Sequence, residues 1–142
     1  MANYLHLDKV DGVATLTIDR PHVRNAVPGG GWDALHELFD DVARDDEVRV
    51  LVLTGSGEDF CSGADVGGDR AERQPHPLDS MRSVGRACQT LHTLPKPTIA
   101  MVHGACIAGA LMLAWCCDLI IASEDAFFAD PVVRMGIPGV EY

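Results

Sequence analysis

Val50-Leu51-Val52-Leu53-Thr54-Gly55, followed shortly by Phe60-Cys61-Ser62-Gly63-Ala64-Asp65, is the stretch on which the fold turns. From Val48 to Leu53 the run is nearly continuous in apolar residues. A short run of this kind suits a strand buried on both faces, as in a parallel sheet. Thr54-Gly55-Ser56-Gly57 closes it. The small residues that follow form a turn expected to open a helix, where main-chain N–H groups are free to hold an anion. Gly63 and Ala64 would let a substrate approach the backbone closely. Val102-His103-Gly104-Ala105-Cys106-Ile107-Ala108-Gly109-Ala110 repeats the pattern of a strand followed by small residues opening a helix. Two such N–H groups converging on one carbonyl would make an oxyanion hole. Taken singly, either stretch is better explained by close helix–strand packing.

Working outward, Tyr4–Val10 and Val13–Asp19 read as two strands joined by Asp11-Gly12, a strong hairpin signal. Trp32, Leu35, Leu38, Phe39 and Val42 recur at helical spacing. Residues 66–79 are rich in Gly, Pro and charge and read as a loop. Leu78, Met81, Val84, Cys88, Leu91 and Leu94 mark a second amphipathic helix, stopped by Pro95-Lys96-Pro97. Thr98–Val102 is a strand, and Gly104–Cys117 is apolar all round, which predicts a helix buried on all sides. Asp118–Ala122 and Phe127–Ala129 read as further strands. Alternating strands and helices predict an α/β fold with mainly parallel pairing after the hairpin.

The composition of the 142 residues, 47% hydrophobic and 23% charged, can fill a core and argues against wholesale disorder. The longest apolar stretch, Ala105–Cys117, is too short to span a bilayer, so no membrane association is expected. The first residues, Met-Ala-Asn-Tyr-Leu-His-Leu-Asp, have neither the basic flank nor the apolar run of a secretory signal. Five cysteines, at 61, 88, 106, 116 and 117, show no zinc-like spacing and read as reduced, mostly buried thiols of a cytoplasmic protein. The net charge of −10, with no basic stripe, disfavours nucleic acid as a partner. An anionic ligand would have to be held by local donors and main-chain N–H groups.

In order along the chain, Arg20-Pro21, Asn25-Ala26, V-R-V-L-V-L-T-G, C-S-G-A-D, K-P-T-I-A-M-V-H-G, C-D-L-I-I-A-S and F-F-A-D-P with G-I-P-G resemble the crotonase (enoyl-CoA hydratase/isomerase) family. The resemblance covers essentially all of the chain. It implies a crotonase-like spiral of ββα units, of which residues 1–142 form the N-terminal part, truncated before the C-terminal helical region. Members of the family run to roughly twice this length. The resemblance further implies an acyl-CoA thioester substrate, coenzyme A entering as part of that substrate rather than as a cofactor, and a homotrimer or hexamer once the domain is complete. Ala64 and Gly109 then carry the oxyanion-hole N–H groups. Ala26, Gly63, Asp65, Met112 and Val132 fall along the implied acyl-CoA site. Arg24 falls where the family often contacts the CoA phosphates, although simple solvent exposure explains it equally well.

Two positions depart from the hydratase pattern. The glutamate that hydratases carry three residues after the second oxyanion-hole glycine is Met112 here, and the one directly after the proline matching Pro131 is Val132. Water addition needs one carboxylate acting on the water and one on the α-carbon, and neither Met nor Val moves a proton. Asp130 and Glu141 are the nearby substitutes, Glu141 also reading as a solvated loop residue. Asp65 reads as a helix-start residue, Asp118 as a local anchor, His103 as structural rather than a general base, and Cys116-Cys117 as packing. The departures leave two readings beside an enzyme of this family: a non-catalytic acyl-CoA-binding or assembly module, and a truncated inactive remnant.

Overall fold

The computed structural model describes residues 2–67 and 77–136. Strands β1 (Leu5–Val10) and β2 (Val13–Ile18) form the expected hairpin. Asp11 and Gly12 both take positive φ, 51° and 84°, as a two-residue turn matched to strand twist requires. Helix α1 (Gly31–Arg44) follows, then β3 (Val50–Gly55), which pairs parallel with β2. Helix α2 (Pro77–His92) leads to β4 (Thr98–Val102), parallel to β3. After β5 (Ala105–Ile107) and α3 (Gly109–Cys116), β6 (Leu119–Ala122) returns to pair parallel with β4. The main sheet thus runs β1-β2-β3-β4-β6, with β6 at its edge. β7 (Phe127–Ala129) pairs parallel with β5 in a second, two-stranded sheet.

The core lies between the main sheet and α1–α2. Leu16, Ile18, Leu51, Leu53, Leu35, Phe39 and Leu91 are fully buried there. The apolar stripe read at helical spacing on α1, Trp32 to Val42, is the stripe that is buried. At the C-terminal end of α1 the N–H groups of Asp45 and Val48 donate to the carbonyls of Val42 and Asp45, each of which has a second lone pair to offer. Lys96 reaches back and donates from Nζ to Val42 O (2.6 Å) and to Asp45 O. His36 Nδ1 and Thr90 Oγ1, 2.8 Å apart, tie α1 to α2. Asp118 accepts from the N–H and hydroxyl of Thr98 (2.7 and 3.0 Å), pinning the start of β6 to the start of β4.

Four expectations need correction. No helix opens at Ala64 within the described residues; Ala64 instead forms a parallel bridge with Val27. The stretch Gly104–Cys117 is not one helix, because Ala105–Ile107 is strand β5 and the helix begins at Gly109. That helix is not buried all round: Trp115 is 55% exposed while Leu111 and Leu113 are buried. The segment 66–79 is not all loop, since Pro77 already belongs to α2; residues 68–76 lie outside the described residues. A short apolar run does not reveal from its period whether it is strand or helix, which accounts for β5. No helix among the described residues is long and apolar enough to cross a membrane.

Candidate functional site

Between the two expected loops lies a frame built from Asn25. This residue is fully buried with φ 56°, a left-handed conformation that asparagine tolerates better than most. Its Nδ2 donates to Ser56 O (2.8 Å) and Asp59 O (2.7 Å), and its Oδ1 accepts from the Arg20 N–H (2.8 Å). The turn leaving β3 is thereby fastened to the turn leaving β2. The chain then runs alongside β5: Phe60 N–H donates to His103 O, Cys61 N–H to Ala105 O, and Ile107 N–H to Cys61 O, at 2.7, 2.9 and 3.1 Å. Cys61 and Cys106 face each other across this bridge, and burial pushes both thiols up to about 12. Both are free and buried, as read from sequence.

The next residues form the first loop. Val27 N–H donates to Gly63 O and Asp65 N–H to Val27 O, both at 2.8 Å. These two bonds embrace Ala64. The C=O of the Gly63–Ala64 peptide points at Val27, so in a trans peptide the Ala64 N–H points the opposite way. Gly63 has φ 90°, and a Cβ there would lie 2.8 Å from Ile107 O and 3.3 Å from the Gly109 nitrogen. The two loops therefore touch, at a place where only glycine fits. In the second loop Ala108 holds φ 52° and ψ −120°, costly for a residue with a side chain. Its N–H donates to Ala129 O on β7 (2.9 Å), and its C=O accepts from Met112 N–H (3.2 Å). Gly109 is closed in by Trp32, whose Cη2 would stand 2.8 Å from a Cβ. Neither the Ala64 N–H nor the Gly109 N–H donates a hydrogen bond among the described residues.

The other expected residues are distributed around this junction. Ala26 is buried next to Val27, and Asp65 forms an ion pair with Arg20 (2.9 Å) while accepting from Gly67 N–H (3.0 Å). Met112 is half-buried in the first turn of α3. Asp130 is exposed, accepting from the N–H of Val132 (3.3 Å), where a short 3-10 turn, Val132–Met135, begins. Glu141 lies outside the described residues.

Arg24 is exposed, yet it is not simply solvated. Its Nε and Nη2 grip Asp59 at 2.8 and 3.2 Å, holding the Asp59 carboxyl below the usual range. Asp59 also accepts from the Ala105 N–H (2.8 Å). Arg24 and Asp59 border an open cleft of about 880 Å³ with Pro21, Gly57, Glu58, His103 and Asp125. That cleft does not include Ala64 or Gly109, and its charge is dominated by carboxylates. His103 meets Gly57 O at 3.2 Å there, consistent with a structural role. Among the described residues, no cluster of His, Cys, Asp or Glu could hold a metal ion.

Arg20 and Asn25 entered the sequence reading only as parts of a motif. Their partners at Ser56, Asp59, Ala26 and Asp65 are 6 to 45 residues away, and residue identity carries no signal for such contacts.

Similarity to known proteins agrees with this architecture. The family model for enoyl-CoA hydratase/isomerase matches residues 8–140. A Mycobacterium tuberculosis protein bearing an enoyl-CoA hydratase name, EchA13, is 42% identical across 98% of this chain and 52% of its own length. The mitochondrial Delta(3,5)-Delta(2,4)-dienoyl-CoA isomerase of Mus musculus is 32% identical over 88% of this chain and 42% of its own. A solved structure described as a probable enoyl-CoA hydratase from Mycobacterium smegmatis superposes with TM-score 0.85 at 39% identity, covering 99% of this chain and 57% of that one. The chain belongs to the enoyl-CoA hydratase/isomerase family and has the crotonase-like α/β fold. It spans about half the length of the relatives it matches.

Proposed function

We propose that this chain supplies the thioester-polarising part of an acyl-CoA site, with the N–H groups of Ala64 and Gly109 as the oxyanion-hole donors. The observation that carries this reading is the junction at Gly63. The peptide preceding Ala64 is locked by Val27 with its N–H turned away from Val27, and a Cβ at Gly63 would stand 3.3 Å from the Gly109 nitrogen. A carbonyl oxygen received by both donors would be stabilised as it gains enolate charge. Family membership supports an acyl-CoA thioester as the ligand, and the dienoyl-CoA isomerase among the relatives acts on one by name.

A second reading, a non-catalytic acyl-CoA-binding or assembly module, is favoured by Met112 and Val132. Loss of one general acid or base costs about 10²–10⁴-fold in rate, and both hydratase carboxylate positions are apolar. Hydration of a short enoyl-CoA is therefore expected to be very slow, with Asp130 or Glu141 as the remaining acids for isomerase-type chemistry. The proposed setting is cytoplasmic, in a homotrimer or hexamer of completed domains. Calorimetric titration with a series of acyl-CoAs, run beside a hydration assay, separates the readings. Binding without hydration fits the module, family-typical turnover refutes the account of Met112 and Val132, and absence of binding refutes both.

A further inference from the structure

We propose that Arg20 is a positioning residue that strengthens the Ala64 N–H as a donor through two intervening peptide groups. The inference rests on the oxyanion-hole reading of Ala64. Arg20 Nη1 donates to Ala26 O at 2.6 Å. The same peptide presents its N–H, that of Val27, to Gly63 O at 2.8 Å. The peptide that begins with the Gly63 carbonyl ends with the Ala64 N–H. A trans peptide carries its C=O and N–H in opposite directions. Guanidinium, peptide 26–27 and peptide 63–64 are thus joined head to tail, and the free end of the series is the proposed donor.

Each peptide carries a dipole of roughly 3.5 D. In this series both turn their positive N–H ends toward the ligand position. Hydrogen bonds in series polarise one another, and a bond from an ionised donor is stronger than a neutral one. The guanidinium at the head of the series, although paired with Asp65, therefore draws electron density back from the Ala64 N–H. The charge is well placed to act. Its side chain is only 19% exposed, and solvent screening is reduced accordingly. It is also held fast: the Arg20 N–H donates to Asn25 Oδ1, and the guanidinium lies 5.8 Å from the Tyr4 ring centroid. Asp65 Oδ2 accepts from the same Nη1 (2.9 Å), which fixes the guanidinium against Ala26 O while offsetting part of its charge. The Gly109 donor has a different support. Its peptide shares the Ala108 C=O that accepts the first hydrogen bond of α3, so helix geometry sets it.

The test uses the complete polypeptide and p-dimethylaminocinnamoyl-CoA, a thioester whose absorption moves to the red when its carbonyl is polarised. Isotope-edited infrared spectra of the ¹³C=O-labelled ligand give a second reading of the same bond. The unmutated protein is expected to bind it with a red shift and a lowered carbonyl frequency. In Arg20→Gln, which keeps a neutral donor, both shifts are expected to fall by roughly 10–30%. In Arg20→Lys, which keeps the charge, more of the shift should survive. A purely structural role for Arg20 would change affinity or melting temperature and leave the carbonyl shift per bound ligand intact, and that result overturns the proposal. Equal shifts in all three proteins overturn it as well. Binding to the unmutated protein without any shift, or no binding at all, refutes the oxyanion-hole reading instead. Should neither variant fold, through-hydrogen-bond scalar couplings in the unmutated protein decide. Couplings from Arg20 to the Ala26 carbonyl and from Val27 N–H to the Gly63 carbonyl support the series, and their absence overturns it.

Discussion

At Gly63 one added methyl group would meet Ile107 O at 2.8 Å, on a backbone already at φ 90°. The left-handed region alone costs a residue with a side chain about 1–2 kcal/mol. Gly63→Ala is therefore expected to lower stability by at least about 2 kcal/mol in urea unfolding and to abolish acyl-CoA binding. Unchanged affinity in the folded variant would mean that the Ala64 and Gly109 N–H groups do not share a ligand. Asp59 makes a pH-dependent contribution. Arg24, chiefly by hydrogen bonding, holds its folded pKa below the ordinary value. The sign follows from linkage: the stability it contributes is complete above the unfolded value of about 3.9 and is lost as pH falls through the lower folded one. The stability difference between the native protein and Asp59→Asn should thus be largest near neutrality and shrink between about pH 5 and pH 2. A difference that stays constant down to pH 2 would contradict this. Sequence order placed Ala64, Gly63 and Gly109 as candidates. It gave no warning that Arg24 is spoken for by Asp59.

Among the elements, those with a clear period were readable. The α1 stripe, the hairpin at Asp11-Gly12 and the parallel strands β3, β4 and β6 stand where apolar spacing and turn residues put them. The failures are at small-residue segments. Ala105-Cys106-Ile107 is strand only because Cys61 lies on one side and β7 on the other, and neither neighbour is visible locally. Ala64 avoids a helix for a similar reason, since Val27 takes the bonds on both sides of it. The end of α1 offers a sharper test. Lys96 joins the β4 approach to the carbonyls of Val42 and Asp45, which also accept from the N–H groups of Asp45 (3.3 Å) and Val48 (3.0 Å). Lys96→Met keeps most of the apolar stem but loses the charged donor, and should cost about 1–2 kcal/mol in chemical denaturation. A variant as stable as the native chain would show that the backbone N–H donors and water suffice for those carbonyls.

For the molecule as a whole, the surface is uneven. Leu119 is 60% exposed, Ile121 59% and Phe127 60%, with Trp115 close to them in sequence and also exposed. β6 is a sheet edge presenting apolar side chains on both faces. The apolar surface thus lies on β6 and β7 more than on α3, where Trp115 is the exposed large apolar residue. Burying one large apolar side chain is worth roughly 1.5–3 kcal/mol, against a total stability of about 5–15 kcal/mol for a domain. The 142-residue chain by itself is expected to self-associate at micromolar concentration and to bind a hydrophobic dye. Sedimentation velocity showing a dye-negative monomer with a cooperative melt would contradict that expectation. The Leu119→Lys/Ile121→Lys double variant should reduce self-association without disturbing the paired strands.

The bond from Ala108 N–H to Ala129 O also bears on how the protein is made. A ribosome releases residue 129 some twenty residues after it releases the loop that this carbonyl restrains. The first loop is no more independent, because Cys61 must wait for Ala105. Neither loop is complete before its later partner emerges, Ala105 for the first and Ala129 for the second. A nascent polypeptide stalled with β7 still inside the exit tunnel should already possess the β1–β2 hairpin, yet bind no thioester.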